Sequence, residues 1–303
     1  MRTSSIKQSI TRVFSDGYEL GSWLSKSMDQ AKPRRWWLPG PPPPRRLISL
    51  KAVEESYRQD GTPPLHVPVR HITIRLADFP KSPDLAPYLG RLDQPPTAVD
   101  YESVIAKSEP SYLFHGCGNA IDAEVVDSFA CRGPSIRFAR SRSYFSTGRA
   151  VYWSNSIEFA IAWSCFAETG NWDLWRYNKD QPFQCLIFVS RVDLTAMKTG
   201  LYLIPKPQTP KEEQALADWC ESNNRSSRGE RIAPPKSSKA SWGIIGSRIP
   251  RHTMQSLKKL RTKCDDIWLF ATCDESCSRK FAEAAVEILH ITFTGRGGAL
   301  SRL

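Results

Sequence analysis

The chain has 303 residues, a formal net charge of +11, 40% hydrophobic residues and 23 prolines. That length leaves room for one large domain or for a domain with an extension, and the prolines crowding the first hundred residues exclude a core that enlists the whole chain. No apolar run approaches the roughly 20 residues needed to cross a bilayer, so no membrane span is expected.

Met1–Phe14 carries Arg2, Lys7 and Arg12 and no acid before Asp16. That composition fits either an organelle transit sequence or a disordered basic tail. Arg34-Arg35-Trp36-Trp37 precedes Pro39-Gly40 and the run Pro41 to Pro44. Successive prolines cannot enter a helix or a central strand and adopt extended polyproline geometry, which reads as a linker or arm. A second Pro-rich passage runs from Gly61 to Pro96. Within it, the residues from Val69 to Leu76 alternate apolar and polar, the pattern of one half-buried strand. Residues 1–100 are therefore expected to form a basic, largely irregular Pro-rich extension. A compact domain is expected over 101–303, with its boundary near Val99–Glu109.

From Ser111 onward short strand and helix signals alternate. Tyr112-Leu113-Phe114-His115 predicts a strand. Ala120 to Phe129 places Ile121, Val125 and Phe129 four residues apart, one stripe of a helix started by Gly118 or Asn119. Ala150–Trp153 is β-prone, and Asn155-Ser-Ile-Glu158 forms a capping-box pattern opening a helix to about Phe166, with Ile157, Ala160, Ile161 and Ser164 inward. Gln184 to Ser190 reads as a buried strand. Thr209-Pro210-Lys211-Glu212 joins a capping box to a proline at the first helical position, and Asn223-Asn224 marks the stop. Trp242–Gly246 and Ile267–Ala271 read as strands. Ser278 to Leu289 reads as a helix with Phe281, Ala285 and Ile288 inward. Strands outnumber helices and no long βαβ repeat appears, so a mixed α+β domain is expected.

Between Arg225 and Lys263 the basic residues Arg225, Arg228, Arg231, Lys236, Lys239, Arg248, Arg251, Lys258, Lys259, Arg261 and Lys263 face only Glu230. Such a stretch reads either as an attractor for phosphate, on nucleic acid or on a cofactor, or as a solvated loop and helix face. The eight cysteines are scattered, with no secretory signal ahead of them, which favours reduced thiols in an intracellular protein, cytoplasmic or nuclear. Cys264, Cys273, Cys277 and His290 can be drawn as a zinc set, but no CxxC pair supports it, and no metal is expected.

P-loop, GxGxxG, HExxH and GxSxG signatures are all missing. What remains is a histidine at a strand end, His115, followed at once by Gly116. A helix, a loop with Arg137, Arg140 and Arg142, and then Tyr144-Phe145-Ser-Thr-Gly-Arg149-Ala-Val-Tyr152-Trp-Ser154 follow, with Ala160 and Trp163 in the next helix. Taken in this order, with Ser241-Trp-Gly-Ile-Ile-Gly246-Ser-Arg-Ile249 downstream, these segments resemble the ADP-ribosyltransferase fold. They look most like small fungal and bacterial members carrying "YHGT", "GxFYxT" and "A..WA" segments. The resemblance covers roughly Ser111 to Leu289.

The resemblance implies a split mixed β-sheet core with flanking helices, behind the Pro-rich extension. It implies NAD as substrate, with ADP-ribose passed to an unknown acceptor, a protein among the candidates, as nicotinamide leaves. His115 would hold the ribose and nicotinamide side of NAD. Gly116 would pair its backbone with the carboxamide, and Tyr152 would stack on the nicotinamide ring. Ser154 takes the hydroxyl position, and Arg149 lies beside the pocket. The family places a glutamate or glutamine on a later strand; here that strand begins Cys264-Asp265-Asp266-Ile267, and Asp266 is the nearest catalytic carboxylate, one methylene shorter. Cys117 stands where the family often has threonine. The alternative is a catalytically inactive domain of the same fold that binds protein or nucleic acid through the 225–263 segment.

Overall fold

A computed structural model describes residues 50–79, 81–89, 110–118, 123–139, 141–169, 183–197, 200–226, 230–249 and 267–295. Among these residues ten strands run in chain order: β1 (Val69–Arg75), β2 (Ser111–Cys117), β3 (Ser141–Ser143), β4 (Ser146–Arg149), β5 (Val151–Ser154), β6 (Phe183–Val192), β7 (Leu201–Leu203), β8 (Ile244–Arg248), β9 (Trp268–Thr272) and β10 (Ala285–Thr294). The α-helices are α1 (Leu50–Gln59), α2 (Ala86–Leu89), α3 (Ala123–Arg132), α4 (Ile157–Thr169), α5 (Pro210–Arg225) and α6 (Glu275–Glu283). Eight strands form one sheet in the order β1-β10-β6-β2-β5-β9-β8-β7, and β3 and β4 form a separate hairpin. The sheet is mixed: β1 with β10 and β7 with β8 are parallel, and the other pairs are antiparallel. The domain is thus α+β.

The most apolar strand takes the middle of its half. Phe183–Val192 is buried at nearly every position, because it pairs on both edges and is covered on both faces. One face is covered by α4. Its Ile157, Ala160, Ile161 and Cys165 pack with Phe114, Ile187, Val189 and Ile291. Its Phe159, Ala162 and Phe166 join Leu216, Ala217 and Cys220 of α5 over Ile245 and Leu269. A helix apolar all round is a helix buried all round. The opposite face carries Phe281 and Ala282 of α6, with Val125, Val126 and Phe129 of α3, over Leu113, Trp153, Phe188 and Ile288.

The helix starts follow their capping chemistry. Thr209 Oγ1 accepts from the Glu212 amide at 3.2 Å, and the Glu212 carboxylate reaches back to the Gln208 amide at 2.7 Å. At α4 the cap is Ser156 rather than Asn155. Ser156 Oγ accepts from the Phe159 amide at 3.2 Å, whereas Asn155 Oδ1 accepts from the Trp268 amide at 2.8 Å and so ties β5 to β9. The predicted helix over 120–129 lies at 123–132, and the predicted strand over 242–246 at 244–248.

Two expectations are overturned. The helix read over 278–289 is α6 followed directly by β10. Phe281, Ala285 and Ile288 have helical spacing, but Val286, Ile288, Ile291, Thr292 and Thr294 are β-branched, and β10 gains ladder partners on both edges, from β1 and β6. Central pairing outweighs a short periodic match. The second correction concerns residues 1–100. Over 50–79 and 81–89 the chain is neither irregular nor an extension, since β1 runs in register with β10 from Val69 opposite Ile288 to Arg75 opposite Thr294. Ile72, Ile74, Leu76, Phe79, Leu85 and Leu89 belong to the same core as Ile187 and Ile291. Pro63, Pro64 and Pro68 stand in the connection before β1, where no ladder hydrogen bond is lost, and Pro83 and Pro87 sit in the first turns of a 3-10 helix and of α2, where amides lack helical partners.

Candidate active site

β2 and β5 meet through one pair, Phe114 opposite Ser154. That pair joins the half-sheet β1-β10-β6-β2 to the half-sheet β5-β9-β8-β7. Towards Cys117 on β2 and Val151 on β5 no further ladder pair joins the strands among the described residues. The His115 side chain makes the next link, its Nδ1 lying 2.8 Å from the Tyr152 carbonyl oxygen. A carbonyl only accepts, so Nδ1 carries the proton and Nε2 of the neutral ring is the acceptor. Burial pushes the imidazole down to about 4, against the opposing pull of the Tyr152 carbonyl, so the ring is neutral at pH 7. It is half-buried, with Phe129 of α3 at 5.9 Å and Trp153 at 5.7 Å between ring centroids.

The Tyr152 ring leaves β5 on the other face of the sheet. It packs on Phe145 at 5.7 Å; its hydroxyl donates to Ser143 Oγ at 2.8 Å and accepts from the Phe145 amide at 2.7 Å. Burial holds its phenol well above the ordinary range. The cause is strand alternation. With Phe114 opposite Ser154, antiparallel register sets His115 beside Trp153, and Tyr152 faces away. The structure brings the His115 ring to the Tyr152 backbone and not to the Tyr152 ring.

Gly116 is buried under α4. A Cβ at this position would overlap the Ala160 carbonyl oxygen and Ser164 Oγ, so the missing side chain admits a helix. Ser154 is buried, and its Oγ accepts from the Ser156 amide at 3.1 Å, shaping the turn into α4. Arg149 lies exposed on the β3–β4 hairpin, with one guanidinium nitrogen 3.1 Å from the Arg137 carbonyl. Asp266 lies outside the described residues. β9 starts at Trp268, opposite Asn155, on the far side of the Phe114–Ser154 pair from His115.

No family model, curated protein or solved structure matches this chain.

Trp153 and Phe129 are the neighbours of His115 that motif reading missed. Trp153 was legible in principle, because once one β2–β5 pair is fixed, alternation assigns every odd position of both strands to one face. Phe129 depends on how α3 crosses that face, which no local signal encodes.

Elsewhere the chemistry is occupied. Among the described residues no group of three or more His, Cys, Asp or Glu side chains is arranged to hold a metal. Burial pushes the Cys273 thiol up to about 12 and Cys277 to about 11, while Asp274 between them caps α6 by accepting from the Cys277 amide at 2.7 Å. Cys264 lies outside the described residues. In the basic segment, Arg225 pairs with Glu221, Lys236 with Glu212 and Arg231 with Ser241, and Lys239 and Arg248 lie over Trp242 and Trp268. These five cations have partners within the chain; Arg228, Arg251, Lys258, Lys259, Arg261 and Lys263 lie outside the described residues. A shallow depression of about 500 Å³ at the end of β1, lined by Thr73, Arg75, Asp78, Lys81 and Asp84 among others, does not include His115. It is open and ion-paired across Arg75 and Asp78. No helix among the described residues is long and apolar enough to cross a membrane.

Proposed function

We propose that the junction of β2 and β5 binds NAD and that the chain is an ADP-ribosyltransferase-like protein, releasing nicotinamide and passing ADP-ribose to an acceptor. The observation that carries this reading is the His115 imidazole at the break between two half-sheets, fixed as the Nδ1–H tautomer by the Tyr152 carbonyl. A neutral ring with an acceptor nitrogen suits a sugar hydroxyl and does not suit a phosphate, so the ribose end of NAD is the part this site takes. The ring is already oriented by the backbone, which lowers the ordering cost of binding. Trp153 and Phe129 shield one side of it from water, and hydrogen bonds made there gain strength from the lower local dielectric.

A second reading is favoured by a specific observation. Tyr152 commits its hydroxyl to Ser143 and Phe145, Ser154 commits its Oγ to a turn, and the space at Gly116 is filled by α4. Three positions that the resemblance gives to the cofactor thus serve the fold. This supports a domain that binds NAD without turning it over.

Calorimetry with NAD, followed by an assay for released nicotinamide, separates the two. Saturable binding that falls at least tenfold in His115→Ala, with nicotinamide release, is the expected outcome for the enzyme. Binding without release assigns the second reading. Absence of NAD binding by the intact chain overturns both.

A further inference from the structure

We infer that Phe129 of α3, and not Tyr152, supplies the aromatic wall against which a planar ring rests at His115. The inference depends on the NAD reading above and specifies which group of the ligand the site distinguishes. Two rings adjoin the imidazole, Phe129 at 5.9 Å with a 36° tilt and Trp153 at 5.7 Å with a 54° tilt. Trp153 is 0% exposed, walled in by Phe281 at 5.3 Å and Phe188 at 6.0 Å, so it presents no surface to a ligand. Phe129 keeps part of its surface exposed. It is braced edgewise on Phe188 at 5.3 Å and 84°, which fixes the ring plane from below. A ligand that reaches His115 Nε2 on this face therefore meets Phe129 and no other ring of the pair. Tyr152 is ruled out geometrically, because its ring leaves the sheet on the opposite face and is held there through its hydroxyl.

The helix that carries Phe129 is held from its C-terminal end. Leu65 N–H donates to the Cys131 carbonyl at 2.8 Å and Val67 N–H to the Ala130 carbonyl at 3.1 Å, and Arg132 pairs with Glu54. Phe129 thus stands one turn from an anchored helix end, which is the condition for a positioned wall rather than a loose one. The ligand group it selects is a flat heteroaromatic ring: the nicotinamide pyridinium attached to the ribose when NAD binds, or free nicotinamide.

The test compares three ligands by calorimetry, NAD, nicotinamide and ADP-ribose, on the intact chain and on Phe129→Ala, Phe129→Leu and Phe129→Tyr. An aromatic wall predicts that Phe129→Ala and Phe129→Leu weaken NAD and nicotinamide about tenfold and leave ADP-ribose within about twofold, with Phe129→Tyr restoring the ring-dependent part. A purely structural role would weaken all three ligands together. Phe129→Leu keeps most of the apolar volume, so it decides the matter if Phe129→Ala does not fold. NAD and nicotinamide binding unchanged in Phe129→Leu, with His115→Ala still impaired, overturns the wall and leaves the NAD site standing. Failure of the unmodified chain to bind NAD overturns the site itself and the wall with it.

Discussion

His115 is held neutral by its surroundings, and the consequence is measurable without any ligand. Its ordinary value is 6.5 and burial in the fold brings it to about 4. Between those values the unfolded chain binds a proton that the folded chain refuses, so stability falls as pH drops from about 6.5 to about 4 and is indifferent to this group above that window. The loss is bounded by roughly 3 kcal/mol, the free-energy equivalent of the shift. Urea midpoints at pH 7.5 and pH 4.5 should therefore differ more in the native chain than in His115→Gln, which has no proton to gain. Equal pH sensitivity in the two would show that the imidazole is not desolvated as described. The sequence made His115 conspicuous as a histidine before a glycine at what read as a strand end, whereas β2 runs on through Gly116 to Cys117. It did not reveal the partner. The resemblance paired His115 with the Tyr152 ring, yet side chains one register step apart on adjacent strands point to opposite faces, and the pairing that sets the step is a tertiary fact.

Among elements, the starts were more legible than the identities. Thr209 and Pro210 announce α5 through local hydrogen bonding and a fixed φ, physics confined to four residues. The stretch from Ser278 to Leu289 contains no such local signal, and only pairing with β1 and β6 turns its second half into a strand. The same limit hides α1, whose place depends on a cluster assembled from three parts of the chain. Tyr57 is 2% exposed, and the guanidinium groups of Arg132 and Arg137 lie over its ring at 5.0 and 4.2 Å. Arg137 also pairs with Asp60 and reaches Glu275 at 3.6 Å, at the start of α6, and Arg132 donates to the Thr62 carbonyl at 2.7 Å. Desolvated cation–π contacts contribute about 1–2 kcal/mol each. Tyr57→Leu keeps the apolar contact and loses them. Amide exchange over residues 50–59 should then quicken about tenfold or more, while amides of Leu186 to Val189 at the sheet centre keep most of their protection. Uniform acceleration across both regions would mean that α1 unfolds only with the whole domain.

For the molecule as a whole, composition and local pattern establish an α+β domain but misplace where it begins. The alternation over Val69–Leu76 announced β1 itself, but the prolines around it assigned that strand to an extension, because nothing local shows that it pairs with β10. The consequence concerns truncation. A chain starting at Tyr101 loses β1 and with it Ile72, Ile74, Leu76, Phe79, Leu85 and Leu89, which cover Leu289, Ile291 and Phe293 on one face. β10 becomes a free edge of ten residues with β-branched side chains, the kind of edge that pairs with other chains. It also loses Glu54, Tyr57 and Leu65 from around α3, the helix that holds Phe129 beside His115. Residues 101–303 alone should therefore aggregate or melt without a cooperative transition, whereas the full-length protein should melt in one cooperative step. Calorimetric melting with dye binding to exposed apolar surface reads both. If 101–303 melts cooperatively near the full-length midpoint, β1 is an ornament on the sheet. If it does not, any NAD binding must be sought in a chain that includes Glu54, Leu65 and Val67, because they anchor the helix that holds Phe129 beside His115.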